Sequence, residues 1–236
     1  MMISMAYDAS ALPDVSGLTV GIIGGTGDQG RGLAYRFARS GQTVLVGSRN
    51  AERARTAAEE IKAMPGVPAE ASVTGGDNAE VASRSDIVII AVPWDGHAAT
   101  LSELREPLAG KIVIDCVNPL GFDKQGPYAL RVEEGSAVQQ AAKLLPESRV
   151  AAAFNHVSAP LLSNPDVDRI ELDVLICTDD RDLVSTVAAL VARIPGMRGI
   201  YGGRLRNAHQ IEAFTANLIA INKRYKAHAG IRVTDV

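Results

Sequence analysis

The chain has 236 residues, 47% hydrophobic and 22% charged, a globular balance that excludes a disordered, collagen-like or coiled-coil protein. A formal net charge of -3 and a pI near 5.8 offer no broad footprint for polyanions, and 4% aromatics leave little material for stacking bases, so no nucleic-acid partner is expected. The N-terminal stretch lacks the basic and apolar regions of a secretory signal, and the longest apolar run, Ile87 to Trp94, is too short to span a bilayer, so no membrane association is expected. Cys116 and Cys177 lie in apolar runs without metal-ligand spacing, which points to buried reduced thiols in the cytoplasm and to no metal site.

After a small polar leader (1–16), β-branched runs alternate with longer amphipathic stretches, the pattern of a parallel sheet covered by helices. The fold class is α/β, a Rossmann-type parallel sheet with helices on both faces. Strands are expected at Leu18 to Ile23, Thr43 to Val46, Ala71 to Thr74, Asp86 to Val92, Lys111 to Val117 and Arg149 to Phe154. Helices fall between them at Gly30 to Arg39, Ala51 to Met64, Ala79 to Arg84, Gly96 to Leu108 and Ser136 to Leu145, ended by Gly41, Pro65, Gly110 and Pro146. This assigns residues 17–163 to a dinucleotide-binding domain. Residues 164–236 read as a smaller C-terminal α/β domain: a strand (Glu171 to Cys177), a helix (Asp182 to Arg193), a Gly-rich connection (Gly196 to Gly203) and a long helix (Asn207 to His228).

The first strand runs directly into Gly25-Thr26-Gly27-Asp28-Gln29-Gly30, a GxGxxG that opens a helix. Glycines there permit a tight turn, close approach of a pyrophosphate and close helix packing, while the helix start presents free N–H groups. No Gly-Lys-Ser/Thr follows at the spacing a triphosphate loop needs. An acidic residue about 20 positions on would bind the ribose hydroxyl of NAD. The second strand ends instead in Ser48 and Arg49, with Arg53 one helical turn later, a set suited to the 2'-phosphate of NADP. Arg53 fits equally well a solvated helix start capped by Ser48 or Asn50.

Ligands of open parallel sheets sit beyond the carboxyl ends of the strands. There the chain places Val92-Pro93-Trp94, Asn118-Pro119-Leu120, and Asn155-His156-Val157-Ser158-Ala159-Pro160. Trp94 suits a wall for planar rings as well as a cover for a helix edge. Asn118 and Asn155 can serve a ligand or the loops themselves, and His97 reads as a cap or decoration of a helix start. His156 titrates near neutrality but has no carboxylate neighbour in sequence. No Ser-His-Asp or paired-carboxylate arrangement is present, and hydride transfer needs none because the cofactor carries the chemistry.

The stretch GIIGGTGDQGRGLAYRFARSGQTVLVGSRNAERA, followed by AVPW, NPL and GRLRNAHQIEAFTANLIAIN, resembles the NADPH-dependent reductases of the deazaflavin coenzyme F420, from about Leu18 to the C-terminus. The resemblance implies an oxidoreductase with NADP(H) as cofactor and F420 as co-substrate. It places Thr26 to Gln29 on the pyrophosphate, Ser48, Arg49 and Arg53 on the 2'-phosphate, the turn Val92-Pro93-Trp94 along the dinucleotide, and the backbone near Ala159 on the nicotinamide carboxamide. The deazaflavin would stack on the nicotinamide between the large domain and the last helix, beside Asn155 and His156 as candidate catalytic residues. Arg204, Arg206 and Lys223 are available to the coenzyme's acidic tail or are ordinary surface charges. The competing readings are an imine, carbonyl or metal reductase, which would need His156 or Lys223 as proton donor, and a non-catalytic NADP-sensing module. A homodimer is the default assembly.

Overall fold

A computed structural model describes residues 7–236. Residues 1–6 of the expected leader lie outside the described residues; in the remainder, Val15 is buried and its carbonyl accepts from Gln42 Nε2 at 2.9 Å. In chain order come β1 (Thr19–Ile23), α1 (Asp28–Arg39), β2 (Thr43–Ser48), α2 (Ala51–Lys62), β3 (Val73–Asp77), α3 (Asn78–Arg84), β4 (Ile87–Ile90), α4 (His97–Glu103) and β5 (Ile112–Asp115). They continue with β6 (Leu120–Asp123), β7 (Gly126–Ala129), α5 (Ala137–Leu144), β8 (Arg149–Ala152), α6 (Ala159–Ser163), β9 (Asp173–Cys177), α7 (Leu183–Ala192), β10 (Arg198–Gly203) and α8 (Ala208–Tyr225).

Eight of these strands form one sheet in the order β10-β9-β8-β5-β4-β1-β2-β3, and β6 and β7 form a separate hairpin. From β3 to β8 every pairing is parallel. The β9–α7–β10 unit joins in the reversed direction, through the single antiparallel pair Ala152↔Cys177, and α8 follows it. Side chains alternate between the faces along each strand. Ile22, Val44, Ile87, Ile89 and Ile114 pack under α1, α2 and α7, whereas Ile23, Leu45, Val88, Ile90 and Val113 pack under α3, α4, α5 and the start of α8. The all-apolar strands of the sequence are therefore buried on both faces, as a helix-covered parallel sheet requires.

Five features differ from the sequence expectation, two of them for a tertiary reason. The third strand begins at Val73 rather than Ala71 and runs through Gly75 and Gly76, because a Cβ at Gly75 would lie 2.2 Å from the Ala54 carbonyl carbon of α2. The Gly-rich connection at 196–203 is largely strand β10, its Gly199 set against Ala188 of α7 for the same reason. The hairpin β6–β7, turned by the Asp123 carboxylate accepting from Gln125 and Gly126 N–H, and the short α6 carry no apolar periodicity. The fourth helix stops at Glu103 and gives way to turns before Pro107.

Helix α6 is held by a residue that composition would place on the surface. Arg36 of α1 is 2% exposed, and its guanidinium donates to the carbonyls of Leu161, Leu162, Asn164 and Val167 at 2.5–2.8 Å. Those of Leu161 and Leu162 are carbonyls that the end of a helix leaves without partners. Arg36→Met is expected to cost about 3 kcal/mol of unfolding free energy, because hydrogen bonds from a charged donor are lost and buried acceptors are stranded. Urea titration checks this; an unchanged midpoint would remove Arg36 from the account of α6.

Candidate active site

The carboxyl ends of β1, β2, β4, β5 and β8 open on one edge of the sheet, where two hollows share Gln29, Ala91, Val92, Pro93 and Asp95 and so form one crevice. The larger, about 890 Å³, lies between the glycine turn and the β2 exit. Thr26, Gly27, Asp28, Gln29, Ser48, Arg49, Arg53, Val92 and Pro93 all line it. The smaller, about 680 Å³, is lined by Gln29, Val92, Pro93, Trp94, Asn118, Asn155, His156 and Ala159, with α8 and the segment after it opposite. Gly25 and Gly30 line neither hollow.

The glycines of the turn divide by role. A Cβ at Gly30 would lie 2.6 Å from the Gly24 oxygen and 2.9 Å from the Gly25 Cα, so this position lets helix and turn touch. A Cβ at Gly27 would meet protein only at 3.5 Å, so the open space there faces the crevice. Gly27 also caps α1 without a side-chain bond, leaving the first N–H groups of a 12-residue helix directed at the hollow, an anion-binding arrangement.

At the end of β2, Asn50 is the cap of α2: its Oδ1 accepts from the Arg53 N–H at 3.1 Å, while Ser48 Oγ accepts from the Asn50 N–H at 3.2 Å. Helix capping therefore uses Asn50 and leaves the Arg49 and Arg53 guanidinium groups exposed, with no ion pair among the described residues. Sequence reasoning missed Asn78, whose buried Oδ1 has no partner at the wall of the same hollow. Its signal would have been its place at the exit of β3, a strand whose end the sequence put too early.

The floor of the smaller hollow is made by two loops that hold each other. Asn118 Nδ2 donates to the Asn155 carbonyl at 2.6 Å, and Asn155 Nδ2 donates to the Val117 carbonyl at 3.1 Å. Both amide oxygens remain, buried and unpartnered. Phe154, fully buried and with φ of 64°, turns the chain so that Asn155 and His156 follow β8 into the crevice, and its carbonyl accepts from Gln29 Nε2 at 3.2 Å. His156 Nε2 accepts from the Leu175 N–H at 3.2 Å, which puts the proton on Nδ1, and that nitrogen is also buried without a partner. Burial pushes His156 down to about 4, so the ring is neutral near pH 7 and serves as a hydrogen-bond donor rather than an acid. Cys116 at the back of the hollow is pushed well above its usual range by burial and is inert as a nucleophile.

Unpaired acceptors on Asn118, Asn155 and Asn78, one unpaired donor on His156, two unpaired cations and a helix start together form a built but unsatisfied polar surface. That surface matches a phosphorylated dinucleotide carrying an amide-bearing ring. Leu218 and Ile219 of α8 add the apolar wall a flat ring requires, on the last helix that the resemblance set against the cleft.

Residues 19–119 match the family described as NADP oxidoreductase, coenzyme F420-dependent. The F420-dependent NADP reductase of Methanothermobacter thermautotrophicus is 39% identical over 224 residues, 93% of this chain and 96% of its own. The F420-dependent NADP reductase of Methanocaldococcus jannaschii is 35% identical over 225 residues, again 93% of this chain and 99% of its own. Among solved structures, a protein of Arthrobacter sp. FB24 described as an F420-dependent NADP reductase superposes with a TM-score of 0.77 at 25% identity, covering 92% of this chain and all of its own.

The two kinds of glycine make a direct test of the turn. Gly30→Ala is expected to lower stability by about 1–3 kcal/mol through overpacking. Gly27→Ala is expected to leave the melting temperature unchanged and to weaken NADPH binding at least tenfold. A Gly27→Ala protein with native NADPH affinity would show that no phosphate approaches this backbone.

Proposed function

The chain belongs to the F420-dependent NADP reductases, and from that premise we propose that it transfers a hydride reversibly between NADP(H) and the deazaflavin coenzyme F420. The observation that carries this reading is the crevice itself: a hollow lined by a helix start and two exposed arginines, continuous with a smaller one whose floor presents unpaired polar atoms. When bound, the two coenzymes supply the chemistry, a hydride passing between nicotinamide C4 and deazaflavin C5.

The chain's own contribution is placement. Thr26 to Gln29 and the start of α1 hold the pyrophosphate, while Ser48, Arg49 and Arg53 hold the 2'-phosphate and so select NADP over NAD. The Val92-Pro93-Trp94 turn guides the dinucleotide from one hollow to the other. Asn118 and Asn155 offer amide oxygens, His156 offers Nδ1–H, and the start of α6 offers the single backbone N–H of Ala159, because Pro160 has none and Leu161 and Leu162 donate to the Ser158 carbonyl; together they fix a carboxamide-bearing ring in its plane. Held together in the smaller hollow by this lining, the two rings would react through proximity. An imine or carbonyl acceptor would require a proton donor as well, and a neutral His156 with Nε2 already engaged does not supply one.

Residues 17–163 are assigned to the NADP domain and residues 164–236 to the smaller C-terminal part that closes the cleft, with α8 and the following Ala227 and His228 as its far wall. The exposed side chains of Phe122 and Tyr128 on the hairpin and of Phe214, Ile221 and Tyr225 on α8 support a homodimer that covers this side of the molecule. Two unpaired, buried cysteines support a reducing, cytoplasmic setting.

Mixing the purified protein with NADPH and oxidised F420 is expected to bleach the visible absorbance of the deazaflavin; no loss at any pH would end this reading. Arg49→Ala is expected to weaken NADPH binding by about 1.5–3 kcal/mol and to leave NADH binding unchanged. Equal losses for both would remove the 2'-phosphate role. Sedimentation at the mass of one 24.9 kDa chain would remove the dimer.

A further inference from the structure

Asp115 ends β5 with its carboxylate wholly removed from solvent, where an ionised carboxylate requires an opposite charge. His97 meets that need. It opens α4, is itself fully buried, and places Nε2 2.7 Å from Asp115 Oδ2. On the other side of the ring, Nδ1 lies 2.9 Å from Gln140 Oε1. The Gln140 amide is fixed in that orientation because its Nε2 donates to Glu134 Oε2 at 3.2 Å. With an acceptor at each ring nitrogen, His97 donates from both, and that form is the imidazolium.

Burial by itself would strip this proton. The Asp115 charge and the hydrogen bonds to Asp115 and Gln140 outweigh it and hold His97 above its ordinary range. The remaining charges around the ring are Glu212 from α8 and, behind Gln140, Glu134 with Lys143 at 3.3 Å. Glu212 is buried, accepts from the N–H groups of Ala137 and Val138, and is pushed by its burial up to about 7.

This pair reaches the crevice on two sides. The Trp94 ring centroid lies 5.5 Å from that of His97, the two planes inclined by 31°, within range for attraction between a cation and an indole. Trp94 is half-buried and walls the smaller hollow. The second oxygen of Asp115 accepts from the Val117 N–H at 2.9 Å and so sets the direction in which the chain leaves β5 toward Asn118.

We propose that the His97–Asp115 ion pair is a positioning pair for hydride transfer: its imidazolium seats Trp94 as the wall of the ring-binding hollow, and its carboxylate aligns the Asn118 floor. The kinetic consequence rests on the hydride transfer assigned above; the charge state does not.

Nitrogen NMR of the free protein labelled at its four histidines is the first arm. At pH 8 one histidine is expected to keep both ring nitrogens protonated, and that signal is expected to vanish in His97→Gln. Four neutral histidines at pH 8 would overturn the proposal. The second arm is the double variant His97→Gln/Asp115→Asn, which removes both charges and keeps hydrogen-bonding groups in place. Trp94 is the chain's single tryptophan, and protonated imidazole quenches indole emission, so its fluorescence is expected to rise. Its kcat is expected to fall about tenfold while KM for NADPH stays within about twofold, because neither His97 nor Asp115 lines the larger hollow. A folded double variant with native emission and native kcat would also overturn it; if the variant does not fold, the wild-type NMR result decides. A wild type that passes the NMR arm but moves no hydride to F420 would refute the assigned reaction and leave the charge pair standing.

Discussion

Three separate stretches of chain converge on two consecutive peptide carbonyls, those of Phe154 and Asn155. Gln29 from the glycine turn reaches the first; Asn118 from the β5 exit and Thr215 from α8 reach the second. Everything that defines the smaller hollow is referred to this point, because the residues that donate to it are also the residues that line it. The left-handed conformation of Phe154 is sustained by its surroundings: the ring is fully buried and meets Phe37 edge-on at 6.0 Å. A strained residue held this way gives a rigid floor, which is what a reaction governed by ring alignment demands.

The division of labour between the two hollows follows from where charge can be afforded. At the solvent-facing end, the Arg49 and Arg53 guanidinium groups stand exposed and without an ion pair among the described residues, so their desolvation is small. At the inner end, a matched pair lies beneath the surface, and apart from Asp95 at the junction of the two hollows the lining offers mostly uncharged donors and acceptors. In the proposed reaction the inner hollow would limit water around the reacting atoms, while the outer one would provide affinity through groups set apart from them.

How much of this was legible in the sequence depends on how local each signal is. The glycine turn, the Arg in place of an acid after β2, and the apolar strands are all written within a few neighbouring residues, and the parallel sheet follows from their alternation with helices. The continuation of the third strand through Gly75 and the strand at 198–203 were not legible, because there α2 and α7 approach to within a distance only glycine allows. His97 looked like a cap or a surface decoration. Its surroundings depend on Asp115 and Gln140, 18 and 43 residues further on, and on a glutamate of the last helix. Asn118 and Asn155 were visible as crevice amides, but their mutual grip requires β5 and β8 to be neighbours, a fact of topology rather than of spacing.

The reversal of β9 against β8 leaves the early residues of β9 alongside a loop instead of a strand, and at Leu175 the ladder N–H finds an imidazole where a backbone carbonyl would otherwise stand. A side chain has been recruited as a rung of the sheet. The residue at 156 therefore answers to two masters: it must present Nδ1–H to the hollow and an acceptor to the neighbouring strand at the same time. Any replacement that improves the fit to a different ring at the expense of that acceptor loosens the edge on which β9, α7 and β10 are hung, so substrate range and the cohesion of the C-terminal third of the molecule cannot drift independently.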